Sequence, residues 1–370
     1  MTPLDRLVRE IVAQDGPISL ERLMALALGH PKHGYYMTRD PFGAAGDFVT
    51  APEISQMFGE LLGLWAAGVW RQMGAPARVT LMELGPGRGT LMADALRAGA
   101  AMPGFRQAVD LVLVETSPVL RDAQKRALAP SGVPARWSDT LDDAPDGPLI
   151  VLANEFFDAL PARHYVRSPE GWRERMIGLG EGGALAFNLA DAVEPTLKAE
   201  APQGAILELS PVSLRVMSHL AARIARDGGA ALIVDYGYAR TALGETLQAL
   251  KAHKPVDPLT MLGEADITVH VDFSALARAA HSAGAAVWGP VTQARLLRDL
   301  GIGARAATLA RRTGARGMAR LDADLNRLAG AGPDSMGELF KALAVTHPVL
   351  PAPPAFAMTR NTRDAETPAA

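Results

Sequence analysis

The sequence contains no cysteine among its 370 residues, and this absence excludes several kinds of chemistry. Disulfide bonds, thiolate metal sites and a cysteine nucleophile all require that side chain. Histidine offers no substitute, because His30 and His33 lie in a segment without a carboxylate or thiol at metal-ligand spacing. We therefore predict that the protein holds no metal.

Long apolar runs and an excess of one charge are also missing. No stretch approaches the length of a membrane span, and the first residues lack the apolar core of a signal peptide. The 37 Lys and Arg residues nearly balance the 40 Asp and Glu residues, which leaves a net charge of −3. This balance gives no overall electrostatic case for nucleic-acid binding or membrane insertion. We expect a cytoplasmic protein.

The composition is ordinary for a globular enzyme, with 48% hydrophobic and 21% charged residues. Residue patterns divide the chain into three parts. They predict an N-terminal helical and lid region over residues 1–78, an α/β core over residues 79–350, and a disordered tail over residues 351–370. Short strand patterns between glycine turns predict a β-hairpin insertion over residues 162–204, which would serve as a substrate platform.

The stretch VTLMELGPGRGTL, residues 79–91, predicts how the core begins. Val79–Leu84 is a mostly apolar run that indicates a buried parallel strand, and a helical pattern opens at Thr90. Strand, glycine loop and helix in this order are typical of a nucleotide-type site, because glycines let backbone N–H groups approach a ligand closely. The loop residues predicted to contact this ligand are Gly85, Pro86, Gly87 and Gly89.

Glu83 indicates which ligand the loop would bind. It lies two residues before Gly85, at the end of the predicted strand. A carboxylate there would repel an anionic pyrophosphate, whereas it would attract a cationic ligand that carries an amino group. S-adenosylmethionine, with its ammonium and sulfonium groups, is such a ligand. The alternative is a tight turn between strand and helix that binds no ligand.

Three further residues are predicted to contact the cofactor. The second predicted strand, VDLVLVETS, ends at Glu115, where one carboxylate can bind both ribose hydroxyls. Asp139 follows the third predicted strand and could accept a hydrogen bond from an adenine amine, although a helix cap or turn residue is an equal alternative. Thr50, from the segment before the glycine loop, completes the set.

The candidate catalytic residues follow the fourth predicted strand, at the edge where open α/β sheets place their chemistry. Glu155 and Asp158 could pair with a cationic acceptor, and Asn154 could orient it. His270 and Asp272 could form a second polar wall. The alternative is that Asn154 and Asp158 stabilise a turn and that His270 is an ordinary loop histidine.

The segment over residues 29–52 is long for a plain connection and is rich in glycine, proline and aromatic residues. Its aromatic side chains argue against disorder. We predict either a lid over the glycine loop or a static hydrophobic plug that packs against the N-terminal helices. The aromatic residues concerned are Tyr35, Tyr36, Phe42 and Phe48.

Three motifs together resemble those of a known family. They are E-x-G-x-G-x-G at residues 83–89, NEFFDALP at residues 154–161 and DYG at residues 235–237. With them the chain resembles the MidA family of S-adenosylmethionine-dependent methyltransferases, which includes the mitochondrial complex I assembly protein-arginine methyltransferase. Further matching stretches extend the resemblance from residue 34 to residue 341, and they lie at residues 46–55, 246–249, 270–273 and 336–341.

The resemblance implies a class I methyltransferase fold, which is an α/β architecture with a Rossmann-like sheet. It also implies symmetric dimethylation of an arginine on a respiratory complex I subunit, and hence a protein substrate. Glu155 and Asp158 differ from the double-glutamate loop of the best-known arginine methyltransferases. The residues that the resemblance assigns to the cofactor are Glu83, Gly85, Gly87, Gly89 and, as the ribose acid, Glu115.

Our first hypothesis is therefore an S-adenosylmethionine-dependent methyltransferase that acts on a protein arginine. A second keeps methyl transfer but changes the acceptor to a small molecule. A third is a cofactor-binding assembly chaperone without essential turnover. The sequence leaves the oligomeric state open.

Overall fold

The computed structural model of the protein describes residues 1–43, 46–333 and 335–357. Its helices are α1 (Pro3–Asp15), α2 (Leu20–Gly29), α3 (Tyr35–Thr38), α4 (Ala51–Ile54), α5 (Gln56–Gln72), α6 (Thr90–Gly99), α7 (Phe105–Ala108), α8 (Pro118–Leu128), α9 (Pro211–Asp227), α10 (Phe273–Ser282), α11 (Gln293–Asp299), α12 (Ile302–Ala310) and α13 (Ala315–Ala329). No helix in these described ranges has the length and apolar character needed to cross a bilayer.

The strands form three sheets, and their bounds follow the chain order. They are β1 (Ile18–Ser19), β2 (Val79–Leu84), β3 (Val109–Val114), β4 (Ala135–Ser138), β5 (Leu149–Asn154), β6 (Arg163–Ser168), β7 (Gly171–Leu179), β8 (Leu185–Val193), β9 (Ile206–Leu209), β10 (Gly229–Tyr238), β11 (Gln248–Lys251), β12 (Lys254–Val256), β13 (Asp266–Thr268), β14 (Val271–Asp272), β15 (Ala286–Thr292) and β16 (Phe340–Thr346).

The largest sheet has eight strands and confirms the predicted α/β fold. Its order is β15-β16-β10-β5-β2-β3-β4, with β14 beside the end of β10. The strands from β10 to β4 run parallel, and β16 runs antiparallel to both of its neighbours. Leu84 of β2 pairs with Val114 and Ala153, so β2, β3 and β5 end at one edge of the sheet. The residues after these strands are thereby brought together.

Helices cover both faces of this sheet because its central strands are apolar on both sides. Leu81 packs into the layer formed with α5 and α6, whereas the next residue, Met82, packs into the layer formed with α9 and α10. This alternation is the two-residue period of a strand. Since α5 belongs to the first layer, the predicted boundary at residue 78 does not match the packing. The N-terminal unit ends before α4 and α5, which belong to the core.

The N-terminal helices and the predicted insertion share one core. β1 pairs with β7 through Ile18 and Ile177, and it joins the five-stranded sheet formed by β1 and β6–β9. This sheet extends the insertion beyond residue 204, to Leu209. The segment from Gln248 to Thr268 contains the three-stranded sheet of β11, β12 and β13. The lid region and the platform are therefore one unit.

The disordered tail predicted from residue 351 is wrong for residues 351–357. Phe356 is completely buried in the layer that contains α5. The side-chain amide of Gln72 donates a hydrogen bond to the Ala352 carbonyl oxygen at 3.0 Å. One aromatic ring is enough to fix this segment, because its burial removes a large apolar area from water. The rest of the predicted tail, residues 358–370, lies outside the described residues.

Candidate active site

A cavity of about 540 Å³ lies where β2, β3 and β5 end. The N-terminal unit contributes side chains from α2, α3 and the segment before α4 to its wall, so the cavity lies between that unit and the central sheet. Seven of the residues that we predicted for the site line this cavity, and they are Gly85, Gly87, Glu115, Asp139, Glu155, Asp158 and His270.

Four other predicted residues line a smaller cavity of about 40 Å³, which shares Gly85, Gly87 and Glu155 with the first; they are Thr50, Glu83, Pro86 and Asn154. Gly89 has the left-handed conformation, with φ of 81°, and it begins helix α6 as its N-terminal cap. The tertiary structure thus brings twelve of the thirteen predicted residues to one edge of the sheet, and Asp272 is the exception.

The glycine loop requires glycine at two positions that face the cavity. Gly85 and Gly87 have φ values of 61° and 52°, which disfavour any other residue. A Cβ atom on Gly85 would lie 2.9 Å from the Phe156 ring, and one on Gly87 would lie 3.2 Å from the Phe42 ring. The loop therefore presents backbone to the cavity with no side chain between.

Glu83 is a buried acid without a full set of partners. The residue is 2% exposed, and its Oε2 atom has no hydrogen-bond partner among the described residues. Burial, together with the charge of Glu115, raises the pKa of Glu83 to about 8. An unpaired carboxylate oxygen in the protein interior is costly, and a cationic ligand would relieve that cost. The predicted role of Glu83 is consistent with this environment.

Glu115 is held in place at both carboxylate oxygens. Oε1 accepts from the Ser117 backbone N–H at 2.8 Å, and Oε2 accepts from Gln124 Nε2 at 3.1 Å. The same Gln124 nitrogen donates to the Gly87 carbonyl oxygen at 2.7 Å. Burial raises the pKa of Glu115. Each oxygen keeps a lone pair for a ligand hydroxyl, while the neighbouring Asp139 is exposed and pairs with Arg121 at 2.6 Å.

Glu155 begins the turn after β5 with an unusual backbone. Its φ is 50°, which is uncommon for a residue with a side chain. Oε1 accepts hydrogen bonds from the Ala51 backbone N–H at 3.1 Å and from Asn154 Nδ2 at 3.2 Å. Burial and the charge of Asp158 raise the pKa of Glu155 to about 8. Such strained, pKa-shifted residues cluster at functional sites.

Asp158 lies in the same turn, which is stabilised by hydrogen bonds to Asp235, a buried acid of β10. Asp235 Oδ2 accepts the backbone N–H groups of Phe156, Phe157 and Asp158 at 3.2, 2.9 and 3.3 Å. The Tyr236 hydroxyl donates to Asp158 Oδ2 at 2.5 Å, and Oδ1 is buried with no hydrogen-bond partner in the part of the chain that the structure describes. Burial raises the pKa of Asp158 to about 6. The turn therefore places two acids, Glu155 and Asp158, at one cavity.

The comparisons with known proteins agree with this geometry. A family model described as "Putative S-adenosyl-L-methionine-dependent methyltransferase" matches residues 61–291. The chain belongs to this family. The predicted class I methyltransferase fold, the enzymatic activity and the cofactor S-adenosylmethionine are thereby confirmed.

Relatives and a solved structure extend the match over nearly the whole chain. "Protein arginine methyltransferase NDUFAF7, mitochondrial" from Danio rerio is 36% identical, over 92% of this chain and 86% of its own. The protein with the same name from Rattus norvegicus is 38% identical, over 85% of this chain and 78% of its own. A Burkholderia thailandensis protein crystallised with S-adenosyl-homocysteine is 30% identical, with a TM-score of 0.83 over 97% of this chain and 95% of its own.

The methyltransferase's residues fit the cofactor in charge and shape. Glu83 has a buried oxygen with no hydrogen-bond partner among the described residues, and Glu115 lies beside the glycine loop. Gly85 and Gly87 present backbone to the cavity, in space that a side chain at either position would occupy. These residues would hold S-adenosylmethionine, which supplies an electrophilic methyl group when bound.

Replacing Glu115 by alanine is expected to weaken cofactor binding by about 1.5–3 kcal/mol, because hydrogen bonds to a charged acceptor are lost. Titration calorimetry with S-adenosylmethionine measures the change. Glu200→Ala, at an exposed acid outside both cavities, is the control and should bind normally. Unaltered affinity in Glu115→Ala would show that Glu115 only holds Gln124.

Sequence reasoning missed four residues of the site. Tyr236 occurs in the 235–237 motif and Tyr36 in the predicted lid, but neither pattern shows that the side chain lines the cavity. Gln124 lies within α8, and Asp266 begins the three-residue strand β13. No local signal marks either of these two residues, because Asp266 is bonded to Tyr36 across 230 residues of sequence and Gln124 to Gly87 across 37.

His270 and Asp272 prove to have different environments. His270 lines the cavity and contacts the Tyr236 ring edge-on at 5.4 Å, and burial lowers its pKa. Asp272 does not line it. Asp272 Oδ1 accepts the Ala275 backbone N–H at 2.9 Å, and Oδ2 accepts from the Thr241 hydroxyl at 2.7 Å. One oxygen of Asp272 caps the N-terminus of α10 and the other is bonded to Thr241, so the structure places Asp272 outside the cavity in a helix-capping position.

We expect Asp272→Ala to lower the free energy of unfolding by about 1 kcal/mol, the usual cost of losing a helix cap. Its kcat should stay near the wild-type value. Asp272→Asn is the matched control, since asparagine caps helices equally well and should restore the stability. A large loss of kcat in Asp272→Asn at unchanged thermal midpoint would return Asp272 to the reaction.

The predicted lid covers the glycine loop, but part of it is already fixed. Phe42 and Phe48 contact each other edge-on at 5.2 Å and line the cavity. Arg88 of the loop pairs with Asp40 at 2.8 Å. Tyr35 is completely buried, so a bound ligand cannot protect this residue further. Closure can involve only the part after α3.

Trypsin cleavage after Arg39 is therefore expected to slow several-fold when S-adenosyl-homocysteine is added, because a filled cavity favours the closed arrangement of Phe42 and Phe48. Time courses analysed by mass spectrometry measure the rate. Cleavage after Arg312, which is exposed and far along the chain, is the internal control. Equal rates at Arg39 with and without ligand would favour the static plug.

Proposed function

We propose that this methyltransferase methylates the guanidinium group of an arginine side chain in a protein. The observation that carries the proposal is the pair of acids on one turn of the cavity, the partly buried Glu155 and the buried Asp158. An arginine side chain stays protonated at any working pH, so its site must offset one positive charge. Carboxylates do this and also orient the planar group, because each can bind two of its nitrogens.

Each acid has a distinct role in the mechanism. Glu155 is aimed by the Ala51 N–H, which leaves Oε2 for the substrate. Asp158 is aimed by the Tyr236 hydroxyl, which leaves the buried Oδ1 for the substrate. Methylation of a guanidinium nitrogen releases one proton, and an acid with a pKa near neutrality is suited to accept it. Glu155, with a pKa of about 8, is the better acceptor of the two.

The names of the relatives support a protein arginine as the acceptor, since the Danio rerio and Rattus norvegicus proteins are called protein arginine methyltransferases. On the resemblance to the MidA family, we further propose symmetric dimethylation of a respiratory complex I subunit. We keep the cytoplasm as the proposed compartment, which fractionation of the tagged protein tests.

Mass spectrometry of proteins from wild-type and deletion strains tests the proposal. We expect one dimethylarginine mark to disappear in the deletion strain and to return with the wild-type gene, but not with Glu155→Gln. Loss of a methylated metabolite with all protein marks intact would instead assign a small-molecule acceptor. Full rescue by Glu155→Gln together with Asp158→Asn would contradict the carboxylate mechanism.

A further inference from the structure

A third acid, Asp266, lines the same cavity as Glu155 and Asp158. It is the first residue of β13 and is 6% exposed. Burial first, and then the charges of Asp158, Asp47 and Glu155, raise the pKa of Asp266 to about 8, although the hydrogen bond from Tyr36 lowers it. The three carboxyl groups are therefore close enough for their charges to interact.

Tyr36 aims Asp266. Its hydroxyl donates a hydrogen bond to Asp266 Oδ1 at 2.8 Å, and its side chain also lines the cavity. Burial and the Asp266 charge raise the pKa of Tyr36 well above its usual value, so this hydroxyl remains a donor. Among the described residues, Tyr36 is the one hydrogen-bond partner of the Asp266 carboxylate. The other oxygen, Oδ2, is left for a ligand.

Among the described residues that line the cavity, Arg327 is the single lysine or arginine, and its charge lowers the pKa of Glu155. Within residues 1–43, 46–333 and 335–357, no lysine or arginine forms an ion pair with Asp158 or Asp266. Buried acids without a cationic partner hold their protons, and a cation that enters among them is stabilised by each one that ionises. Two such acids, Asp158 and Asp266, in addition to Glu155 exceed what a neutral acceptor would require.

We propose that Asp266, aimed by Tyr36, is a specificity-determining residue that binds the acceptor guanidinium together with Glu155 and Asp158. This inference rests on the proposed function. The third carboxylate makes the site select a cationic acceptor over a neutral one of the same shape. It also makes binding release protons near pH 7, because the cation favours the ionised form of an acid that is protonated in the free enzyme.

A purely structural role for Asp266 would be to anchor Tyr36. Asp266→Asn separates the two roles, because the amide oxygen of asparagine still accepts the Tyr36 hydrogen bond while the charge is lost. Glu264→Gln is the matched control. Glu264 lies two residues earlier, pairs with Lys251 at 2.7 Å and does not line the cavity.

The experiment is titration calorimetry on the full-length protein saturated with S-adenosyl-homocysteine. The probes are a blocked arginine tripeptide and the same tripeptide with citrulline, a neutral isostere. We expect the wild type and Glu264→Gln to prefer the arginine probe by at least about tenfold and to release protons, measured in two buffers with different ionisation heats. Asp266→Asn should lose most of the preference and release fewer protons.

Tyr36→Phe is the second variant, and it keeps the ring while removing the donor. Without this hydrogen bond the pKa of Asp266 rises further, so arginine binding should weaken several-fold at pH 7 and recover at higher pH. A structural loss would not recover with pH. This profile decides the question if Asp266→Asn does not fold.

The outcomes distinguish the two proposals. If the wild type binds both tripeptides equally, the proposed function is overturned and the inference with it. If the wild type prefers arginine but Asp266→Asn keeps the preference and the proton release, the role of Asp266 is overturned while the proposed function stands. If arginine binding in Tyr36→Phe stayed weak at every pH and did not recover at higher pH, the role of Asp266 would likewise be contradicted.

Discussion

Replacing Glu155 by glutamine is expected to lower kcat by on the order of a hundredfold or more, while the affinity for S-adenosylmethionine stays near that of the wild type. Glutamine keeps the size of the side chain, and its oxygen can still accept the Ala51 and Asn154 hydrogen bonds. Only the charge is lost. Because that charge orients and offsets the guanidinium, the loss should fall on the methyl-transfer step.

The pH dependence gives the same variant a second readout. In the wild type kcat/KM should rise between about pH 6 and pH 8, since Asp158 and Glu155 must ionise, with pKa values of about 6 and about 8, to bind the cation. Glu155→Gln should reduce the upper part of this rise, to which Asp266, with a pKa of about 8, also contributes. An upper part of unchanged size in Glu155→Gln would show that Glu155 does not contribute to it.

The free energy of unfolding changes with pH in the opposite direction to kcat/KM. The pKa of Glu155 is raised from 4.5 to about 8 on folding, so the folded state binds more protons than the unfolded chain over that range. The free energy of unfolding of the wild type therefore falls as the pH rises from 4.5 to about 8. Glu155→Gln removes this penalty, and its thermal midpoint should exceed the wild-type value at pH 8.

Single-turnover assays and calorimetry separate chemistry from binding in this test. Glu181→Gln, at an exposed acid in the turn between β7 and β8, is the control and should match the wild type in every measurement. Wild-type kcat in Glu155→Gln would overturn the carboxylate mechanism and favour a neutral acceptor.

Replacing Gly87 by valine is expected to remove measurable binding of S-adenosylmethionine, a loss in affinity of more than about a hundredfold. Valine would place a branched side chain in the cavity, with its Cβ 3.2 Å from the Phe42 ring. The φ of 52° adds backbone strain of about 1–3 kcal/mol for a residue with a Cβ. The variant should therefore be somewhat less stable as well as unable to bind the cofactor.

Gly204→Val is the matched control for that strain. Gly204 has φ of 83°, and a Cβ there would meet nothing within 4 Å. This variant should show a similar decrease in thermal midpoint and normal cofactor affinity by calorimetry. If a folded Gly87→Val protein bound S-adenosylmethionine like the wild type, the glycine loop would not be the cofactor site.

The sequence alone determined the elements whose signals are local. β2 was predicted over its observed residues, Val79–Leu84, because a strand buried on both faces is a continuous apolar run between turns. The glycine loop was predictable because each of its glycines has a positive φ, which glycine adopts more readily than other residues. Glu115 and Glu155 were found because the ends of parallel strands meet at one edge of a sheet.

The tertiary structure alone decided which distant side chains share the cavity. Tyr36 and Asp266 are hydrogen-bonded across 230 residues of sequence, and Tyr236 reaches Asp158 across 78. Periodicity cannot predict such contacts, because they depend on how separate units pack against each other. For the same reason the sequence predicted a disordered tail at Phe356, although its ring is buried in the core. Local patterns specify elements, and only their packing completes the site.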